Sequence, residues 1–179
     1  MTAMSPPEAT TPEILILDHV ATPVGTALVV VDEGGALRAL DFEDYAERMH
    51  RLLARHYGAM PLERGAAPRI VSRGLKDYFA GDLSALDDLV WKTNGTDFQR
   101  KVWGRLTTIP AGETWNYKRL AQSIGSPNAA RAVGLANGAN PIAIRVACHR
   151  VIGADGTLTG YGGGLERKAW LLRHEGVVL

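Results

Sequence analysis

The chain has 179 residues, 46% of them hydrophobic and 22% charged, an ordinary globular composition with room for one large domain or two small ones. A single cysteine, Cys148, excludes an internal disulfide framework and a multi-cysteine zinc site. No apolar run approaches the roughly 20 residues that span a bilayer, and the start lacks the basic and apolar segments of a secretory signal, so a cytoplasmic protein with no membrane contact is expected. The net charge of +1 conceals a division: residues 1–94 hold 9 Lys and Arg against 14 Asp and Glu, whereas residues 95–179 hold 11 against 5. The second half is therefore the one suited to face a polyanion.

Residues 1–12 are rich in Pro and Thr and read as a flexible start. Three β-prone runs follow, Glu13–His19, Gly25–Val31 and Ala36–Phe42; the turn-forming Asp32-Glu33-Gly34-Gly35 predicts a hairpin between the last two. Asp44–Tyr57 switches to helical spacing, with Tyr45, Met49, Leu52 and Leu53 on one face. Gly58–Pro68 has loop composition, Arg69–Ala80 reads as a helix with Ile70, Leu75, Tyr78 and Phe79 sharing a face, and Leu86–Trp91 reads as a last strand. Together these predict an α+β domain over 13–92 with an antiparallel sheet.

From residue 95 the texture changes. Thr96 is placed to cap a helix running to about Thr107, with Phe98, Val102, Trp103 and Leu106 apolar at helical spacing. Two short helices, Tyr117–Ile124 and about Ala129–Gly138, flank Gly125-Ser126-Pro127-Asn128 and predict a helix-turn-helix in a mostly helical domain over 95–179. An apolar run, Ile142–Val146, leads to Cys148, glycines crowd Gly153–Gly164, and a last helix over Leu165–His174 turns Leu165, Trp170, Leu171 and Leu172 toward the core.

Cys148 alone reads as an inert core thiol before its neighbours are considered. Its neighbours His149 and Arg150 set an imidazole and a guanidinium beside the sulfur, where they favour the thiolate. A Cys–His pair calls for a third group to orient the imidazole; among the five acids after residue 94, Glu175 is the candidate, with a solvated helix end as its alternative. Arg131 projects from small residues, Ala129, Ala130, Ala132 and Gly134, which suits close approach to DNA and equally suits a surface arginine. Tyr117 reads as a donor to a phosphate or base, or as core. Asn140 before Pro141 reads as a plain turn or a hinge that ties loops together. Gly160, Gly162, Gly163 and Gly164 around Tyr161 read as a surface loop or as a wall where a flat ligand approaches backbone.

Residues 96–176 resemble the C-terminal domain of the O6-alkylguanine-DNA alkyltransferases. The matching stretches are Thr96-Asp97-Phe98-Gln99, Ile109-Pro110-Ala111-Gly112-Glu113-Thr114, Ala129-Ala130-Arg131-Ala132-Val133-Gly134, Ala136-Asn137-Gly138-Ala139-Asn140-Pro141, Cys148-His149-Arg150-Val151-Ile152-Gly153, and Leu158-Thr159-Gly160-Tyr161 through Gly163-Gly164-Leu165-Glu166-Arg167-Lys168. The first half matches only in its order of elements, like that family's ribonuclease-H-like domain. The resemblance implies DNA repair by irreversible transfer of an alkyl group from the O6 of guanine, with O4-alkylthymine as a further substrate, to Cys148. His149 would deprotonate the thiol through a water, Glu175 would orient His149, and Tyr117 would help protonate the leaving base. Arg131 would fill the stack left by a flipped nucleotide, on a helix (Ala129, Ala130, Gly134) lying in the minor groove of double-stranded DNA. Asn140 would brace that helix against the cysteine loop, and Val151, Gly160, Tyr161 and Gly162 would line the guanine pocket. No cofactor and no metal are implied; the protein would act as a monomer, with cooperative assembly on DNA left open.

Three positions depart from the family pattern: Ala147 where Pro is usual, freeing the backbone before the cysteine, Arg145 where an apolar residue is usual, and Asn116, which still caps a helix. Two other readings are a lesion-binding sensor without transfer and a cysteine hydrolase.

Overall fold

A computed structural model describes residues 10–179. The chain divides into two units, one running up to Asn94 and also taking in Pro141–Arg145, the other formed by Gly95–Asn140 and Val146–Leu179. Among the described residues no helix is long and apolar enough to cross a membrane.

The first unit is built on strands β1 (Leu15–Thr22), β2 (Gly25–Asp32), β3 (Leu37–Phe42) and β4 (Leu62–Arg64), in the order β3-β2-β1-β4, with helices α1 (Ala46–Tyr57) and α2 (Arg69–Phe79). β1, β2 and β3 pair antiparallel as a meander, and the Asp32–Gly35 turn forms the expected hairpin; Asp32 Oδ1 accepts from the N–H groups of Gly34 and Ala36. β2 is buried from Ala27 onward and reads as an apolar run without alternation up to Val31, whereas β3, buried throughout, carries Arg38 and Asp41, whose charges are met by Asp32 and Arg48. Met49 and Leu53 of α1 close a core with Leu15, Leu28, Val30 and Ala39. Of the expected flexible start, residues 1–9 lie outside the described residues; Pro12 is buried and the Thr10 carbonyl accepts from Arg38 Nη2 at 3.1 Å.

Three expectations are corrected here. The sheet is not wholly antiparallel: β4, three residues inside the expected loop, pairs parallel with β1. The expected strand over Leu86–Trp91 is a series of turns (Ala85 N–H to Asp82, Asp87 to Ser84, Leu89 to Leu86), and only Trp91 bridges to Leu37. The buried face of α2 is Val71, Gly74, Leu75 and Tyr78, an i, i+3, i+4, i+7 stripe that leaves Ile70 65% exposed.

Pro141–Arg145 packs within this unit as an extra bridge on β3. Leu40 donates to the Pro141 carbonyl and accepts from Ala143 N–H. Ile144 has φ 68°, the one positive-φ residue other than glycine among those described, inside a three-residue turn closed by Arg145 N–H to Ala143 at 2.8 Å. Arg145 accounts for its own position: Nε and Nη2 donate to the carbonyls of Leu89 and Asp87 at 3.0 and 2.8 Å.

The second unit holds α3 (Asp97–Leu106), β5 (Trp115–Asn116), α4 (Tyr117–Ser123), α5 (Ala130–Gly138), β6 (Val151–Ile152) and α6 (Leu165–His174). Thr96 caps α3 in a reciprocal box with Gln99, as its sequence predicts. Buried Trp103 of α3 donates Nε1–H to the Ala136 carbonyl of α5 at 2.8 Å. α4 and α5 flank a turn that begins at Gly125 (φ 75°), the predicted helix-turn-helix, and Asn116 caps α4 by accepting from Arg119 N–H at 2.8 Å. β5 and β6, two residues each and absent from the sequence reading, pair parallel. This sets the start of α4 beside residues 151–152, just after Cys148.

Candidate active site

Cys148 opens a single 3-10 turn, Cys148–Arg150, and is buried at 7% exposure. Ala147, at φ −81° and ψ 59°, sits at the centre of a tight turn closed by Cys148 N–H to the Val146 carbonyl at 2.8 Å. Asn140 spans that turn: Nδ2 lies 2.8 Å from the Val146 carbonyl and 3.1 Å from Cys148 Sγ. Asn137, one helical turn earlier, donates to the Cys148 carbonyl at 3.4 Å. Both asparagines are buried, so their amides serve the cysteine turn and not solvent. An N–H aimed at sulfur favours its ionised form.

His149 is wholly buried, and its Nε2 is 3.0 Å from both oxygens of Glu175. Glu175 is not a solvated helix end; it is 4% exposed and also receives Arg150 Nε and Nη2, each at 2.8 Å. Burial alone pushes this carboxyl's pKa up, but the Arg150 fork and His149 together hold it well below the usual range, so it is ionised. Burial likewise pushes His149 below 6.5 against the pull of Glu175. An ionised carboxylate only accepts, so Nε2 of the neutral ring carries the hydrogen. That leaves Nδ1 with a lone pair and no protein partner among the described residues.

The expectation that Arg150 flanks the thiol is corrected. Its guanidinium is taken up by Glu175 and by the Ile109 carbonyl, at 2.6 Å from Nη1. A second cation of the site, electrostatically coupled to Cys148, is Lys168, which the sequence-based expectations do not single out. Its ammonium is fully buried, with Nζ 2.6 Å from the Val151 carbonyl, 2.7 Å from that of Thr159 and 3.4 Å from that of Gly160. Burial lowers its pKa to about 8 while the Cys148 sulfur pulls the other way. The signal was present in the sequence: Lys168, Leu171, Leu172 and Glu175 follow i, i+3, i+4, i+7, and this is the buried stripe of α6 and its cap. The expected face began at Leu165, which is 48% exposed.

The remaining expected residues fall into two groups. Val151 and Gly160 meet Lys168 Nζ through their carbonyls, and in the loop that follows, through Tyr161 and Gly162, the Tyr161 ring lies against Gly163 so closely that a Cβ there would meet it at 3.0 Å. Tyr117 joins them through its hydroxyl, 2.9 Å from Thr159 Oγ1, and its ring edge lies over Gly134 of α5. Arg131 stands apart. It lies in the first turn of α5, not mid-helix, is exposed, and makes no ion pair among the described residues; Ala129 and Ala130 beside it are half-buried. The geometry thus offers a buried thiol followed by an imidazole with a bare Nδ1, a tyrosine hydroxyl paired with Thr159 of the glycine-rich loop, and separately an open arginine on the second helix of the helix-turn-helix.

Residues 97–177 match the family described as 6-O-methylguanine DNA methyltransferase, DNA binding domain. The chain is 53% identical over 167 residues to the methylated-DNA–protein-cysteine methyltransferase of Shigella flexneri, covering 92% of this chain and 98% of that one. It is 46% identical over 158 residues to the enzyme of the same name from Methanosarcina barkeri, covering 88% and 95%. Among solved structures, Mycobacterium tuberculosis OGT in complex with DNA superposes with a TM-score of 0.76 at 42% identity, covering 89% of this chain and 92% of that chain. The O6-methylguanine-DNA methyltransferase of Pyrococcus kodakaraensis strain KOD1 shares the fold, with a TM-score of 0.63 at 24% identity, covering 92% and 100%.

Proposed function

The chain belongs to the methylated-DNA–protein-cysteine methyltransferases, DNA-repair enzymes that work by alkyl transfer, and from that premise we propose that it moves the alkyl group of O6-alkylguanine in duplex DNA onto its own Cys148, irreversibly and once per molecule. The observation that carries the reading is the chain of polar contacts behind the sulfur: ionised Glu175 holds His149 Nε2–H, and the bare Nδ1 belongs to the residue directly after Cys148.

In this reading the Cys148 proton passes through a water to His149 Nδ1, and Glu175 stabilises the imidazolium. The thiolate is supported by the Asn140 amide at 3.1 Å and by the Lys168 ammonium. Sulfur attacks the alkyl carbon; the S–C bond forms as the C–O6 bond breaks, and Tyr117 gives a proton to the departing guanine, which leaves as the unmodified base. The reacting atoms of a stacked base are out of reach of a buried thiol, so the nucleotide must first leave the helix, at a cost of a few kcal/mol. Arg131, exposed on α5, takes the vacated place in the stack from the minor groove side. The pocket for the base is formed by Val151, Gly160, Tyr161 and Gly162, with Asn140 bracing the cysteine turn.

Intact-mass spectrometry after incubation with a methylguanine duplex tests this. The expected result is a stable gain of one methyl group on Cys148 in stoichiometric yield. Binding without a mass gain would overturn the reading in favour of a lesion sensor, and a duplex carrying O4-methylthymine in the same assay reports whether that base is also a substrate.

A further inference from the structure

The hydroxyl of Thr159 has no part in the chemistry above, yet its position is closely controlled. Thr159 enters the glycine-rich loop, and its carbonyl is held 2.7 Å from Lys168 Nζ, which also holds the carbonyls of Val151 and Gly160. A buried ammonium therefore fixes the backbone of a residue whose side chain reaches the exposed rim. There Thr159 Oγ1 lies 2.9 Å from Tyr117 Oη.

A phenol carries one hydrogen on a rotatable bond and can both donate and accept. If Tyr117 donated to Thr159, its proton would point away from the base it serves. If Thr159 donates to Tyr117, the phenolic hydrogen is left for the substrate, and the oxygen already has a donor in place as negative charge develops on it. We propose that Thr159 is a positioning residue for the transfer reaction, its hydroxyl donating to Tyr117 so that the phenol's proton faces the leaving guanine. The inference rests on Tyr117 acting as the acid.

A hydrogen bond to a group that becomes charged is worth roughly a tenfold change in rate when lost. Single-turnover transfer from a methylguanine duplex is to be measured over a range of protein concentration for the wild type, Thr159→Val, Thr159→Ser, Tyr117→Phe and the Thr159→Val/Tyr117→Phe pair. Thr159→Val is expected to lower the limiting rate roughly tenfold at unchanged DNA affinity, Thr159→Ser to restore it, and Thr159→Val to add nothing once Tyr117 is Phe. Methylation of Cys148 by iodomethane, whose leaving iodide needs no proton, is expected to be equal in all five proteins. Should Thr159→Val slow the iodomethane reaction equally, or remain additive with Tyr117→Phe, the hydroxyl serves only the loop and the inference is overturned. A slow Tyr117→Phe beside a wild-type Thr159→Val sinks the inference alone, whereas a wild-type rate for Tyr117→Phe sinks the acid role and the inference with it.

Discussion

Glu175 holds two neighbours with one carboxylate, and its loss would act on each differently. Arg150 and His149 both lean on it in a buried site, so Glu175→Gln leaves a buried guanidinium with half its partner and a ring whose tautomer is no longer dictated. Transfer is expected to slow by at least roughly tenfold while duplex affinity stays within about twofold, because the residue contributes to the base and not to the DNA surface. Unchanged transfer would remove Glu175 from the mechanism. The same substitution alters the response to acid. Glu175 and His149 both have folded-state pKa values depressed from their ordinary 4.5 and 6.5, so the unfolded chain takes up these protons first. The stability they contribute is complete above pH 6.5 for His149 and above pH 4.5 for Glu175, and it is lost as pH falls below each value. Thermal unfolding followed from pH 7 to pH 4 is expected to show a declining Tm in the wild type, with a shallower decline below pH 4.5 in Glu175→Gln.

The cysteine turn owes its shape to side-chain amides. At Ala147 the backbone already sits at φ −81°, close to the value proline enforces, and the hydrogen bonds of the turn run through Cys148 N–H, Arg150 N–H and the Val146 and Ala147 carbonyls, not through Ala147 N–H. The freedom that alanine restores at this position is therefore countered by Asn140 and Asn137. Ala147→Pro is expected to raise stability by about 0.4–1 kcal/mol through the unfolded chain and to keep the wild-type transfer rate, checked by calorimetry and single-turnover kinetics. A loss of stability would show that the turn needs more freedom than its φ suggests. The same scale explains what the sequence conveyed. Helices α1, α3 and the α4–α5 pair follow from apolar periodicity and from caps at Thr96 and Asn116, all local signals. The two- and three-residue strands β4, β5 and β6 carry no periodicity of their own and exist only because a distant partner is there to pair with.

At the scale of the molecule, the excess of basic residues after position 94 and the open Arg131 would, on the proposed function, separate two tasks, extracting a base and reacting with it. Arg131→Ala is expected to slow repair of a methylguanine duplex by at least roughly tenfold while leaving reaction with free benzylguanine within about twofold, since only the duplex must be opened. Equal losses on both substrates would contradict the role. The site as a whole was half legible. Cys148, His149 and Glu175 could be named because a thiol, an imidazole and a carboxylate suggest one another chemically, and the structure joins His149 to Glu175. The partners of Arg150 and Lys168 are not legible in the sequence, because the direction of a long side chain is settled by which carbonyls and carboxylates the packed chain brings near it.

A reagent that works once must be hard to waste. Cys148 is mostly covered, its sulfur already engaged by the amide of Asn140, and the imidazole of His149 beside it in sequence is wholly buried. On the proposed function, a stray electrophile would have to reach a covered thiol held in reserve, while a base presented by DNA would bring its alkyl carbon to the sulfur. The seclusion that makes this cysteine look like an inert core residue is also what would keep a consumable protein from being discharged before it meets damage.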